Sequence, residues 1–177
     1  MGLLGQPGGQ GDMAPPVQLH TVYMTTDIFW ATGSLERLGD PNLYINQDGL
    51  SYIKFEDTHL YPWSVTGLPP SSPETILVRR EKMQMVFFES EEAISQYRSP
   101  PRTGNIVIYM PLAIVKGTVP FYSEAKLSNF LDFWKGELLP VTDVSLYFMT
   151  ESPVELPVHA ELLYVHRNHI QAYVEGA

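Results

Sequence analysis

The chain has no cysteine, and charged residues make up only 18% of its 177 residues. Without cysteine, disulfides, thiolate metal sites and cysteine nucleophiles are all excluded. Lysine and arginine are scarce as well, with 11 against 20 acidic residues and a formal net charge of −9. This balance disfavours nucleic-acid binding, because surfaces that follow phosphates depend on Lys and Arg. A surface poor in charge is typical of one that a partner partly covers.

Long hydrophobic runs are missing too. No stretch reaches the run of about 20 apolar residues that a membrane-spanning helix needs, and the first residues carry neither the basic cluster nor the apolar core of a secretory signal. We therefore expect a cytoplasmic protein. Residues 1–18 are rich in Gly, Gln and Pro, a composition that predicts a flexible tail.

What the chain does have is an internal repeat. Gly33 and Gly117 stand at the same point of a predicted second strand, and the closing strand of each half carries one pattern of apolar residues around an arginine. The longer matches pair Asp57-x-x-Leu60-Tyr61 with Asp143-x-x-Leu146-Tyr147, and Val78-x-Arg80-x-x-Met83-Gln84 with Val165-x-Arg167-x-x-Ile170-Gln171. Several matches in register predict a tandem duplication of one β-rich unit.

The repeat predicts four segments: a tail (1–18), a first β-barrel module (19–88), a linker with a short helix (89–104) and a second β-barrel module (105–177). Asp40 followed by Pro41 predicts a helix over about 41–48, since Asp is a good N-cap and Pro suits the first helical position. A bend is expected in the third strand near Asp57. Each module is expected to end in a long strand, at 75–88 and 161–174.

The order of elements and three short motifs resemble the Sm-like fold, and more narrowly a group of small bacterial Sm-like proteins of unknown function. The motifs are Leu127-Ser128-Asn129-Phe130-Leu131, Leu138-Leu139-Pro140-Val141-Thr142-Asp143 and Tyr164-Val165-His166-Arg167-Asn168-His169-Ile170. The first half shares the pattern through Gly33, Asp40, Asn42 and Val78-Arg79-Arg80. The fold class predicted is all-β with short helices, as two tandem Sm-like or SH3-like small barrels.

The resemblance implies a ring or pseudo-ring in which an edge strand of one module pairs with the next module. Three copies of a two-module chain would then form a six-module ring. The resemblance also offers an alternative function, an Sm-like nucleic-acid-binding module that uses Asp/Asn and Arg-Gly loops. Here Arg80 is followed by Glu81, and Arg167 by Asn168. Together with the acidic charge, these departures favour a protein partner over a nucleic acid.

Four residues stand out as candidate interaction residues: Arg80, Arg167, Trp63 and Trp134. Each arginine lies inside an apolar closing strand, where it could bind an anion or a partner carboxylate, or hold backbone carbonyls and the repeated aspartates. The aromatic residues exceed what two very small cores hold, which is typical of interfaces, although they could equally fill a cleft between the modules.

Candidate chemistry is weaker. His166 and His169, with His159 nearby, imitate a metal site, but positions i and i+3 of a strand face opposite ways and would not converge unless a turn separates them. Asp57 and Asp143 could serve in acid–base chemistry, yet an Asp beside a strand bend is more simply a turn or bulge residue. We therefore predict no catalytic, cofactor-binding or metal residues and no cofactor. The leading hypothesis is a non-enzymatic scaffold that self-associates, or binds a protein partner, through edge strands and aromatic surfaces; a small-ligand or metal-dependent enzyme is the remaining alternative.

Overall fold

The computed structural model describes residues 18–37, 39–63, 69–121, 131, 134–152 and 155–175. These residues form one antiparallel sheet of ten strands with two short helices, in the order β10-β6-β7-β8-β9-β5-β1-β2-β3-β4. The strands are β1 Gln18–Thr25, β2 Phe29–Arg37, β3 Tyr52–Pro62, β4 Thr75–Arg79, β5 Met85–Phe88, β6 Arg102–Tyr109, β7 Ala113–Phe121, β8 Leu138–Phe148, β9 His159–His166 and β10 Ala172–Glu175. The helices are α1 Pro41–Ile45 and α2 Glu91–Gln96. The prediction of an all-β chain with short helices is confirmed.

Both helices begin where the sequence provides a cap. The Asp40 side chain accepts a hydrogen bond from the Asn42 N–H (2.9 Å) and Pro41 occupies the first helical position. The Ser90 hydroxyl accepts one from the Ala93 N–H (3.1 Å) at the start of α2. These side chains satisfy backbone donors that a helix leaves free at its N-terminus. The two short helices predicted near residues 41–48 and within 89–104 are therefore confirmed.

The same pairing pattern occurs twice along the sheet. In the first half the strands lie in the order β5-β1-β2-β3-β4, and in the second half in the order β10-β6-β7-β8-β9. Gly33 lies opposite Val22 in the first half and Gly117 opposite Ile106 in the second. The pairing of β2 with β3 shifts register next to Gly33, and that of β7 with β8 shifts next to Gly117.

A missing side chain is required at these two shifts. A Cβ on Gly117 would lie 2.7 Å from Val141 Cγ1 and 2.8 Å from the Thr142 carbonyl oxygen, and one on Gly33 would lie 2.6 Å from Thr58 Cγ2. These distances are shorter than van der Waals contact, so only glycine lets the bent neighbouring strand approach so closely. The bend expected near Asp57 is thus present, as a β-bulge.

The prediction of two tandem small barrels is wrong as regards closed barrels, because the described strands form a single open sheet. Strand β5 does not close onto β4 of its own half. It pairs instead with β9 of the other half, with Met85 opposite Val165 and Phe88 opposite Leu162. The hydrogen-bonding edge that a closed barrel would use internally is therefore occupied by the neighbouring half.

The long closing strands are also divided, contrary to the sequence prediction. A 3₁₀ turn at Arg80–Lys82 separates β4 from β5, and a second one at Arg167–His169 separates β9 from β10. At each turn the chain changes the strands with which it pairs. Before the first turn β4 pairs with β3, and after it β5 pairs with β1 and β9.

The two hydrophobic clusters of the core both cross the boundary between the halves. The first cluster combines Trp30, Trp63 and Phe87 of the first half with residues of β6 to β9, and the second includes Leu138 and Tyr164 of the second half among residues of β1 to β5. Because burial of apolar area is the main favourable term in folding, the halves stabilise each other.

Some predictions fall on parts of the chain that are not described. The tail 1–18 lies outside the described residues except for Gln18, which begins β1. The motif Leu127-Ser128-Asn129-Phe130-Leu131 also lies outside them, except for Leu131. In the described part of the chain, no helix has the length and apolar character needed to cross a membrane.

Candidate interaction site

The sheet ends in two open edges, β4 and β10. Among the described strands, β4 pairs only with β3, and β10 only with β6. Both edges present large apolar side chains, since 63% of Leu77 on β4 and 49% of Val174 on β10 are exposed. An edge strand with free backbone groups and apolar side chains is a template for pairing with another chain.

At the junction between the halves, an edge of this kind is already paired, because β5 of the first half pairs with β9 of the second. Besides the pairing of β5 with β9, the Arg80 Nε donates a hydrogen bond to Glu137 Oε2 over 2.7 Å. Only 12% of the Arg80 side chain is exposed, whereas 46% of Glu137 is. A charge-assisted bond to a mostly buried guanidinium is stronger than a surface ion pair, so this contact ties the first half to the second.

Asn46 forms a second polar tie across the same junction. Its Oδ1 accepts from the Leu138 N–H (2.9 Å) and its Nδ2 donates to the Leu138 carbonyl (2.8 Å). The same Nδ2 also donates to Asn42 Oδ1. One side chain thereby satisfies both backbone groups at the start of β8, in place of a neighbouring strand.

Two histidines lie beside these ties. The His166 side chain is fully buried, and its Nδ1 accepts a hydrogen bond from the Asn168 N–H (3.2 Å). The proton of the neutral ring is therefore on Nε2, which faces Glu137 Oε2 at 3.7 Å, too far for a hydrogen bond. His169 lies next to it, with ring centroids 5.3 Å apart, and its Nε2 donates to the Glu81 carbonyl oxygen.

Burial is the largest cause that lowers the pKa of His166, from 6.5 to about 4. His169 and Arg80 act in the same direction, and the Glu137 carboxylate acts against them. The imidazole is consequently neutral at physiological pH. Within the described residues, no group of three or more His, Cys, Asp or Glu side chains is placed to hold a metal ion.

The two candidate arginines take equivalent places in the two halves. Arg80 Nη1 donates to the Gln47 carbonyl (2.7 Å), and Arg167 Nη1 donates to the Trp134 carbonyl (2.8 Å). Each guanidinium therefore holds the loop that precedes the third strand of its own half. Among the described residues, Arg80 also binds a carboxylate, that of Glu137, whereas Arg167 binds none.

The candidate tryptophans lie in different environments. Trp63 is 7% exposed, its Nε1 donates to the Thr26 carbonyl (2.9 Å), and its ring packs near Phe148 of the other half. Trp134 is half-buried and packs against the first core cluster. Trp30 stacks on Tyr61 with ring centroids 4.3 Å apart, in the same cluster. Several aromatic residues thus fill the space between the halves.

Asp57 and Asp143 occupy the two β-bulges. Their φ angles are 49° and 52°, the only non-glycine residues with positive φ in the described part of the chain. Aspartate tolerates the left-handed region better than most residues. The two carboxylates lie in different halves, each at its own bulge.

Sequence reasoning missed Glu137 and Asn46, which form the cross-junction contacts. Neither residue belongs to a repeated pattern, so the repeat gave no signal for them. The difference between the two halves at this position is the informative feature, because the first half has Ser51 where the second has Glu137. The two residues are equivalent because the Arg80 N–H donates to the Ser51 carbonyl and the Arg167 N–H donates to the Glu137 carbonyl.

The fold and this junction define an all-β protein whose halves pair edge to edge and whose two outer edges, β4 and β10, pair with no further strand among the described residues. Comparison with protein-family models, with curated proteins and with solved structures finds no match.

Proposed function

We propose that this chain is a non-enzymatic assembly protein, built from two tandem Sm-like units that associate head to tail with further copies through β4 and β10. The observation that carries the proposal is the pairing of β5 with β9 inside the chain. Strand β10 is the second-half equivalent of β5, because β5 pairs with the first strand of its half and β10 with the first strand of the other half. Strand β4 is the first-half equivalent of β9, because each pairs with the third strand of its own half. Two copies can thus repeat between chains the junction that each makes internally.

The proposal fixes a register. The internal pair Phe87 and Leu163 corresponds to Val174 of one copy opposite Ile76 of the next. The His166 N–H donates to the Gln84 carbonyl over 2.9 Å. Gln84 and His166 are therefore a hydrogen-bonded pair, and Phe87 and Leu163 lie three positions further along the two strands. Because hydrogen-bonded and non-hydrogen-bonded pairs alternate, Phe87 and Leu163 form a non-hydrogen-bonded pair, and so does the counterpart of this pair between copies.

The exposed side chains support the same surface. Leu77 and Val174 would be covered by the pairing, and the pairing would satisfy backbone groups that each edge otherwise presents to water. The low charge of the chain, 18% of residues, fits a surface that another copy covers in part.

A head-to-tail contact uses two different surfaces, so it propagates until the rotation between copies closes a ring. The number of copies in our proposal is three, which gives six units. Closure removes the last free edges, just as a barrel does.

The test is the native mass of the purified protein at micromolar concentration, compared between two variants. Leu77→Lys places a charge in the proposed interface, and Met149→Lys changes a side chain of similar exposure (66%) that is not on an edge strand. We expect Leu77→Lys to raise the dissociation constant at least about tenfold and Met149→Lys to leave it unchanged. A wild-type protein that is strictly monomeric, or two variants that behave alike, would refute the proposal.

A further inference from the structure

The two kinds of junction differ in charge. At the internal junction, Arg80 of the first half meets the Glu137 carboxylate, and the neighbouring positions on the second half are the histidines His166 and His169. The charges of this junction are thereby balanced by a direct ion pair across it, on top of the backbone pairing of β5 with β9.

At the junction between copies, other residues stand in the same places. Arg167 replaces Arg80, because both donate to the carbonyl of the loop before the third strand of their own half. Ser51 of the next copy replaces Glu137, by the matching backbone bonds of the two arginines. On the closing strand and turn of that copy, Arg79 and Lys82 replace the two histidines.

The exchange removes the Glu137 carboxylate, adds two cations, and places Glu81 where the second half has Asn168. Arg167, Arg79 and Lys82 would meet with Glu81 as the nearby carboxylate, and Glu81 already binds Arg79 at 2.9 Å. Glu137 of the next copy borders the same space but is held by its own Arg80. A hydroxyl cannot neutralise a guanidinium, and among the described residues Arg167 has no carboxylate partner of its own to take into the junction.

There is room for a small ligand at this place. A groove of about 280 Å³ lies beside the β4 edge and is lined by two guanidinium groups, those of Arg79 and Arg80, by their carboxylate partners Glu81 and Glu137, and by Ser51 and Tyr52. The groove offers hydroxyl and guanidinium donors, which suit a tetrahedral oxyanion. Pairing of a second copy along β4 would bring Arg167 to this groove.

We propose that a small oxyanion of the inorganic phosphate type binds at the head-to-tail junction, between Arg167 of one copy and Ser51 and Arg79 of the next, and that it promotes assembly. The inference rests on the proposed head-to-tail association. Within it, the anion does between chains what the Glu137 carboxylate does inside each chain.

The experiment measures self-association by sedimentation velocity in sodium phosphate and in sodium chloride at equal ionic strength. For the wild type we expect a dissociation constant about tenfold lower in phosphate. Ser51→Glu supplies the carboxylate that the internal junction has, so this variant is expected to assemble equally well in both salts. Ser95→Glu adds the same charge on α2 and should retain the wild-type response to phosphate.

The outcomes separate the two proposals. Assembly that is equal in phosphate and chloride, or a phosphate response that persists in Ser51→Glu, overturns the anion site and leaves the head-to-tail association standing. A wild type that stays monomeric in both salts overturns the proposed function, and the anion site with it.

Discussion

Acidification is expected to destabilise the folded chain through one buried side chain, His166. The imidazole is neutral in the folded protein because burial lowers its pKa to about 4, whereas an unfolded chain binds a proton with a pKa near 6.5. Between these two values the unfolded state binds more protons than the folded state. Stability is therefore fully present above about pH 6.5 and is lost as the pH falls toward about 4.

The size of the effect follows from the shift. A shift of this size corresponds to about 3 kcal/mol once both pKa values have been passed, and to about 2 kcal/mol near pH 5. The measurement is the free energy of unfolding in urea at about pH 7 and about pH 5, at one protein concentration because association also stabilises the fold.

Other groups titrate in the same range, so the contribution of His166 has to be isolated. In His166→Gln the carboxylates remain while the imidazole is gone, and the side-chain oxygen of Gln can still accept the Asn168 N–H. We expect the wild type to lose about 2 kcal/mol more than this variant over the interval. An equal loss in both proteins would show that His166 is not buried as a neutral ring.

Three further changes test the packing of the sheet and the junction by unfolding measurements. Gly117→Ala is expected to cost about 2 kcal/mol or more, since its Cβ would lie 2.8 Å from a carbonyl oxygen of β8; an unchanged stability would mean that the strands separate freely. Asn46→Ala removes both bonds to the Leu138 backbone and should cost about 2 kcal/mol, against less than about 1 kcal/mol for Asn42→Ala. Asp143→Val places a β-branched residue at a φ of 52° and should cost about 1 to 2 kcal/mol, whereas Asp143→Gly should stay close to the wild type.

Local signals in the sequence predicted local structure well. Asp40 and Pro41 marked the start of α1, and the bend near Asp57 was expected from the repeated aspartate and the strand residues around it. These features depend on neighbours in the chain, through a cap bond or a backbone conformation, so residue type alone carries them.

The arrangement of the strands could not be predicted in the same way. The run from Thr75 to Phe88 is apolar at both ends and carries four charged residues, 79–82, in the middle. The partners of β4 and β5 lie far away in the chain, and the run divides at Arg80, within the charged residues. Whether β5 closes on its own half or pairs with β9 is a choice between two similar strand edges. The sequence pattern is the same for both choices, because each buries the same face.

The central claim is that β10 of one copy pairs with β4 of the next in the register of the internal junction. The absence of cysteine allows a direct test, because Ile76→Cys with Val174→Cys creates a single pair at a non-hydrogen-bonded position, where side chains approach closely. Mild oxidation of the assembled protein is predicted to join chains through this pair, and not in the control Leu77→Cys with Val174→Cys, whose side chains point to opposite faces of the sheet. No cross-link between chains in the first variant, or equal cross-linking in both, would contradict the account.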